Sequence, residues 1–308
     1  MKHFLIRVII FVSMSLSALA HEQADLFIFS YDRPLQLDGL LQSVEKHVKN
    51  LGQVVVIYRT SSDEFDRSYQ ECFADHKTLN LVLRKQGTLG KPPTEDFKYF
   101  VQRAILDSPH DYIFFAVDDI IIQDSIDLDD CIHYLKTTGA YGFYLRLGEN
   151  ITQCYMLGNA KTPVPQHKVI DDTILMWKFS NATGDWNYPN TVDLTVYRKS
   201  DAYATIGNLH FTSPNSLEFS WDQFGDRKGD RHKYGLCYKH SKMINIPYNS
   251  VMEDWQGNRY MGESKNHFLE LYKNGYRMDI EKYAQVQNKS PHIEVPLYVV
   301  NHGNKKDL

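Results

Sequence analysis

Residues 110–124 read HDYIFFAVDDIIIQD. A mixed aromatic and β-branched run, from Tyr112 to Val117, meets two adjacent acids, Asp118 and Asp119. Ile120, Ile121 and Ile122 follow. A short, nearly continuous apolar run of this kind marks a strand covered on both faces. Two carboxylates between buried segments are costly unless they serve something. If the strand stops at Val117, both acids stand at its carboxyl end and can point into a crevice.

The chain on either side supports a strand in that place. Residues 26–30 (LFIFS) read as a strand ending in a turn at Arg33-Pro34. Leu35, Leu37, Leu40, Leu41, Val44 and Val48 then recur at near-helical spacing, with Gly52 as the stop. QVVVIYR (53–59) and LNLVLRK (79–85) read as strands. TEDFKYFVQRAILDS (94–108) reads as a helix, with Thr94 as N-cap. Strands alternating with helices predict an α/β fold, with an open, mostly parallel, mixed sheet flanked by helices in a Rossmann-like way. In such sheets ligands sit beyond the carboxyl ends of the strands. Residues 30–33, 59–63, 84–85 and 118–119 should therefore gather at one edge.

The second half has candidate strands in AYGFYLRLGEN (140–150), TILMWKFS (173–180), TVDLTVYRKS (191–200) and KMINIPYNSV (242–251). A helix is expected over ESKNHFLELYKNG (263–275), closed by Gly275. This half reads as a continuation of the same sheet, with a boundary near Thr138-Gly139.

Composition narrows the class. The 308 residues carry a formal net charge of -4, which argues against a nucleic-acid partner. Tyrosine is abundant, and tyrosine and tryptophan often line carbohydrate sites. The N-terminus reads as an address: Lys2, His3 and Arg7 precede a 13-residue apolar run, residues 8–20. That is shorter than the roughly 20 residues of a spanning helix. Ala18-Leu19-Ala20 fits signal cleavage after Ala20. Export is expected, to the periplasm or medium in a bacterium, or to the ER or Golgi lumen in a eukaryote. There the tail Lys305-Lys306-Asp307-Leu308 resembles a retention signal. Cys72, Cys131, Cys154 and Cys237 show no metal-ligand spacing, and the compartment would permit disulfides.

The order of elements resembles a GT-A glycosyltransferase of the broad family-2-like kind. FSYDRPLQLDGLLQSV (29–44) is like that family's opening strand, R-P turn and helix. DYIFFAVDDIII (111–122) is like its acidic, DxD-like metal motif. The resemblance implies a nucleotide-diphospho-sugar transferase fold over one domain, residues 21–308, with a donor half near 25–138 and an acceptor half near 139–285. It implies donor contacts from Tyr31, Arg33, Ser62 and Asp118. It also implies Mn2+ or Mg2+ on Asp118 and Asp119, which suits hard carboxylate ligands. The sequence departs from the family after the second strand, where an acid cluster is replaced by YRTSSDEF and only Asp63 could stand in.

An inverting transferase needs a base for the acceptor hydroxyl. Glu218 in SPNSLEFSWDQF (213–224) is the first candidate, at a helix start after a turn at 214–216. Asp222, four residues on, is second. Asp185 in GDWNYP (184–189) is third, with Trp186 as a stacking platform for sugar. Arg146 reads as a structural salt-bridge partner, and His267 as a plain surface histidine, with reach to the metal or diphosphate as the alternative. The donor is expected to be a nucleotide sugar, or a lipid-linked sugar phosphate if the exported chain meets none, and the acceptor a carbohydrate, lipid or protein. Two other functions compete: a non-catalytic carbohydrate-binding or effector protein on the same fold, and a metal-dependent hydrolase of sugar phosphates.

Overall fold

The computed structural model describes residues 21–251 and 259–303. The signal segment expected over 1–20 and the retention-like tail at 305–308 lie outside the described residues. In chain order the main elements are β1 (Ala24–Tyr31), α1 (Pro34–His47), β2 (Leu51–Arg59), α2 (Asp63–Asp75), β3 (Leu81–Lys85), α3 (Pro93–Asp107), β4 (Tyr112–Val117) and α4 (Leu128–Thr138). Then come β5 (Gly142–Tyr144), β6 (His167–Asp171), β7 (Ile174–Lys178), β8 (Thr195–Arg198), α5 (Lys199–Ile206), α6 (Pro214–Lys228), β9 (Tyr234–Tyr238), α7 (Lys265–Lys273) and α8 (Ile280–Tyr283).

The nine strands form one sheet in the order β6-β7-β9-β5-β8-β4-β1-β2-β3. β1 pairs in parallel with both β2 and β4, and β2 with β3. β8 runs antiparallel between β4 and β5. Strands of both halves of the sequence share this sheet.

The apolar runs are continuous because alternate residues enter different cores. On β1, Leu26 and Ile28 join α1, α2 and α4 on one face, with Leu40, Tyr69 and Ile132. Phe27 and Phe29 join α3, α5 and α6 on the other, with Phe97, Ile206 and Trp221. Such two-sided burial requires a helix layer on each face.

Several local expectations shift. Gly52 lies inside β2 and stops no helix; a Cβ there would fall 2.2 Å from Asp25 Oδ1, so the close approach demands glycine. α3 starts at Pro93, with Pro92 as its N-cap, so Thr94 is already helical. Residues 243–245 leave the main sheet and pair with Ile120–Ile122. The four cysteines are free and buried. No described helix is long and apolar enough to cross a membrane.

Gly235 gives a test of the packing. A Cβ there would lie 2.8 Å from both the Phe179 ring and the Trp177 indole, which are fully buried. Gly235→Ala should destabilise the fold by about 1–3 kcal/mol through overpacking. A chemical-denaturation midpoint equal to wild type would contradict this packing.

Candidate active site

The turn after β1 builds the site. Asp32 adopts φ 52, a left-handed geometry that aspartate tolerates better than most residues. Its carboxylate is held by Ser61 N at 2.8 Å and by Lys265 Nζ at 2.7 Å. Pro34 then starts α1 with its φ already set. Between them, Arg33 turns inward and is 6% exposed.

Arg33 meets the acid pair at the end of β4. One nitrogen, Nη1, donates to Asp118 Oδ1 at 2.8 Å and to Asp119 Oδ2 at 3.1 Å. Nη2 donates to the Asn249 carbonyl. Asp118 Oδ2 also accepts from Ser30 Oγ at 2.7 Å and Tyr31 N at 3.3 Å. Ser30 in turn contacts the buried Tyr69 hydroxyl at 2.5 Å. Both oxygens of Asp118 are thus engaged, whereas Asp119 Oδ1 is buried without a hydrogen-bond partner among the described residues.

These residues form the floor of a cavity of about 540 Å3. Among the described residues, five carboxylates line it: Asp118, Asp119, Asp185, Asp193 and Glu218. Burial pushes the Asp119 carboxyl up to about 6, with Arg33 opposing and Asp118 and Asp193 adding to the rise. Burial likewise pushes Asp193 to about 6 against the pull of Arg146. Glu218 rises to about 7, mainly through desolvation and then through Asp193. It is half-buried, and its Oε1 accepts from Val192 N at 2.9 Å. His292 Nε2 lies 3.5 Å from Asp193 Oδ2, and burial lowers its pKa.

The structure distributes the expected residues unevenly. Tyr31, Arg33, Asp118, Asp119, Asp185 and Glu218 share the cavity wall. Arg59 lies over the Tyr31 ring at 4.3 Å and carries a positive charge to the same rim. Arg84 and Lys85 do not line the cavity, and Lys85 pairs with Asp66 at 2.7 Å on α2. Ser62 is off the cavity because its side chain caps α2, accepting from Phe65 N at 3.4 Å. Asp63, the proposed stand-in acid, is exposed in the first turn of that helix.

Two acids expected beside Glu218 are otherwise engaged. Asp222 faces Arg231 at 2.9 Å and does not line the cavity. Asp185 reaches the cavity but is bound by Arg146 at 2.7 Å. Residues 214–216 are the first turn of α6, not a turn before it, because Ser213 and Ser216 form a capping box. Trp186 is no stacking platform: it is 1% exposed, donates to Ile151 O at 3.0 Å and packs on Trp177. His267 is exposed on α7, as expected of a surface histidine, and the cavity is lined instead by His292.

Asp193 and His292 escaped the sequence reading. Asp193 had a signal: it precedes β8, which is antiparallel, so its beginning lies at the edge where β4 ends. Leu194 beside it takes φ 38, a strained value for a residue other than glycine. His292 follows an irregular segment with no periodic pattern.

The donor set fits the divalent cation that the resemblance implies. Asp119 supplies an unused, buried carboxylate oxygen, and Asp193 and His292 are close enough to act on it electrostatically. Oxygen-rich, anionic surroundings suit Mg2+ or Mn2+. Asp118, also expected as a ligand, has both oxygens committed to Ser30, Tyr31 and Arg33.

An open α/β sheet with an acid pair at the carboxyl edge of a central strand is the arrangement expected from the resemblance to GT-A glycosyltransferases. Over 298 residues the chain is 25% identical to the bifunctional glycosyltransferase pgtA of Dictyostelium discoideum, covering 86% of this chain. It spans 38% of the length of that protein. No protein-family model matches the chain. Among solved structures, S. aureus TarS 1–349 overlaps with a TM-score of 0.45 and 14% identity, covering 71% of this chain and 58% of that one. The mannosyltransferase PcManGT from Pyrobaculum calidifontis, solved in complex with GDP-Man and Mn2+, overlaps with a TM-score of 0.38 and 12% identity, covering 64% of this chain and 51% of that one.

The buried Arg33 pairs make a prediction. Removing one partner of a buried ion pair leaves the other charge uncompensated, typically at about 3–5 kcal/mol. Arg33→Met should destabilise by that order in urea unfolding, and adding Asp118→Asn should restore part of it. Simple additivity of the two changes would contradict the coupling.

Proposed function

We propose that this chain is an inverting glycosyltransferase, moving a sugar from a nucleotide-diphosphate donor to an acceptor hydroxyl in the cavity. The observation that carries the reading is Glu218: a half-buried carboxyl with its pKa raised to about 7, sharing one cavity wall with the acid pair of β4. A base poised near the working pH is what proton removal from a hydroxyl requires. The similarity to a glycosyltransferase over most of the chain supports the same class.

In this reading the sugar donor enters along the Tyr31 and Arg59 rim, whose charge suits a diphosphate. The acceptor hydroxyl lies against Glu218. Its proton passes to the Glu218 carboxylate as its oxygen forms the bond to the anomeric carbon. The bond from that carbon to the phosphate oxygen breaks, and its electron pair leaves with the diphosphate. The backbone N–H of Val192 holds the Glu218 carboxylate toward the cavity. Arg33 fixes Asp118 against β1 and so presents Asp119. A divalent cation held by Asp119, with Asp193 and His292 beside it, would supply neutralising charge for the diphosphate.

The turnover rate should rise with pH through about 7, as Glu218 loses its proton. The same raised pKa has a stability cost. Folded Glu218 binds its proton more tightly than the unfolded side chain, so its contribution is most favourable below about 4.5 and is lost as pH rises to about 7. Glu218→Gln should therefore abolish transfer, keep donor binding, and raise the melting temperature at pH 8 more than at pH 5. A variant with wild-type transfer would remove Glu218 from the role of base. For the cation, Asp119→Asn should lose Mn2+-dependent donor affinity in calorimetry while melting cooperatively. Unchanged affinity would overturn the assignment of Asp119.

A further inference from the structure

Away from the cavity, where α1 packs against the end of α2, Asp38, Cys72 and His76 bring a carboxylate oxygen, a thiol and a ring nitrogen within 4.8 Å of one another. They are 2%, 0% and 3% exposed. Cys72 lies in the last turn of α2 and His76 is the residue that ends it. His76 is oriented from both nitrogens: Nε2 lies 3.2 Å from Asp38 Oδ1, and Nδ1 lies 2.9 Å from Glu45 Oε2. Metal-ligating histidines commonly have this arrangement, one ring nitrogen toward the ligand cluster and the other anchored on an outer carboxylate.

A network of ion pairs would account for part of the cluster. Arg277 Nε stands 3.6 Å from Asp38 Oδ1, and Gln42 donates to Asp38 Oδ2 at 2.5 Å. Those contacts explain Asp38, Glu45, His76 and Arg277. They leave the Cys72 thiol, which sits in this charged cluster, with the Tyr272 hydroxyl as its hydrogen-bonding neighbour. Tyr272 also feels the charge of Asp38.

We propose that Asp38, Cys72 and His76 form a binding site for a thiolate-preferring divalent cation of the zinc type, which ties α1 to α2. The mixed sulfur, nitrogen and oxygen set suits zinc, whereas the all-oxygen chemistry around Asp119 suits Mg2+ or Mn2+. Binding releases the thiol proton, and the thiolate and carboxylate together balance the charge of the ion. The ion braces α1, the helix that opens at Arg33-Pro34 and carries Arg33 to Asp118. This site does not rest on the transferase reading.

The test is to produce the full chain in cobalt-supplemented medium and dialyse it against metal-free buffer. One Co2+ per chain is expected, with near-ultraviolet sulfur-to-cobalt absorption. Cys72→Ser should abolish that band, Asp119→Asn should keep it, and Glu45→Gln should weaken binding by about 10–100-fold. Should Cys72→Ser fail to fold, X-ray absorption of zinc in the native chain decides: one sulfur neighbour supports the site, and an all-oxygen shell overturns it. A chain that retains no stoichiometric metal and shows no band also overturns it, leaving a buried ion-pair network.

Discussion

The site depends on one buried guanidinium. Arg33 bonds both acids of the β4 edge, and it can do so because Asp32 and Pro34 fix the turn on either side of it. That contact joins the end of β1, the start of α1 and the end of β4, three elements distant in sequence. Two carboxylates buried this deeply need an opposite charge beside them, and Arg33 supplies it. With Arg33 in place, Asp118 is locked to the scaffold, and Asp119 keeps one oxygen for another partner.

The rest of the cavity extends the same logic. Its acids outnumber the arginines committed to them, and burial raises the pKa of Asp119, Asp193 and Glu218. A site built this way is poised for a cation at one end and a proton at the other. The two ends are linked through Asp193, whose charge raises both Asp119 and Glu218. Asp185, although paired with the buried Arg146, adds to the rise at Asp193.

Much of this was legible from residue order. The continuous apolar runs marked strands buried on both faces, and the acids after Val117 marked the edge. Glu218 was expected because the resemblance implies an acid at a helix start beside the acceptor, and it lines the cavity. What the sequence did not disclose had physical causes. Asp222 was assigned to the same face as Glu218, but it is engaged by Arg231, a partner nine residues on that no pattern announces. Ser62 was expected at the donor and instead caps a helix. Trp186 read as a sugar platform but fills a core with Trp177. Asp193 was overlooked because it precedes its strand, and only the reversed direction of β8 brings it to the active edge. His292 depends on tertiary contacts of an irregular segment.

The central claim is that this edge holds a nucleotide diphosphate. The most direct measurement is thermal unfolding of the chain with UDP, GDP and CDP, with and without Mn2+. A ligand that binds only the folded state must raise the melting temperature. The account predicts stabilisation by one of these nucleotides that depends on Mn2+. No shift with any of them at millimolar concentration, with or without the metal, would contradict it.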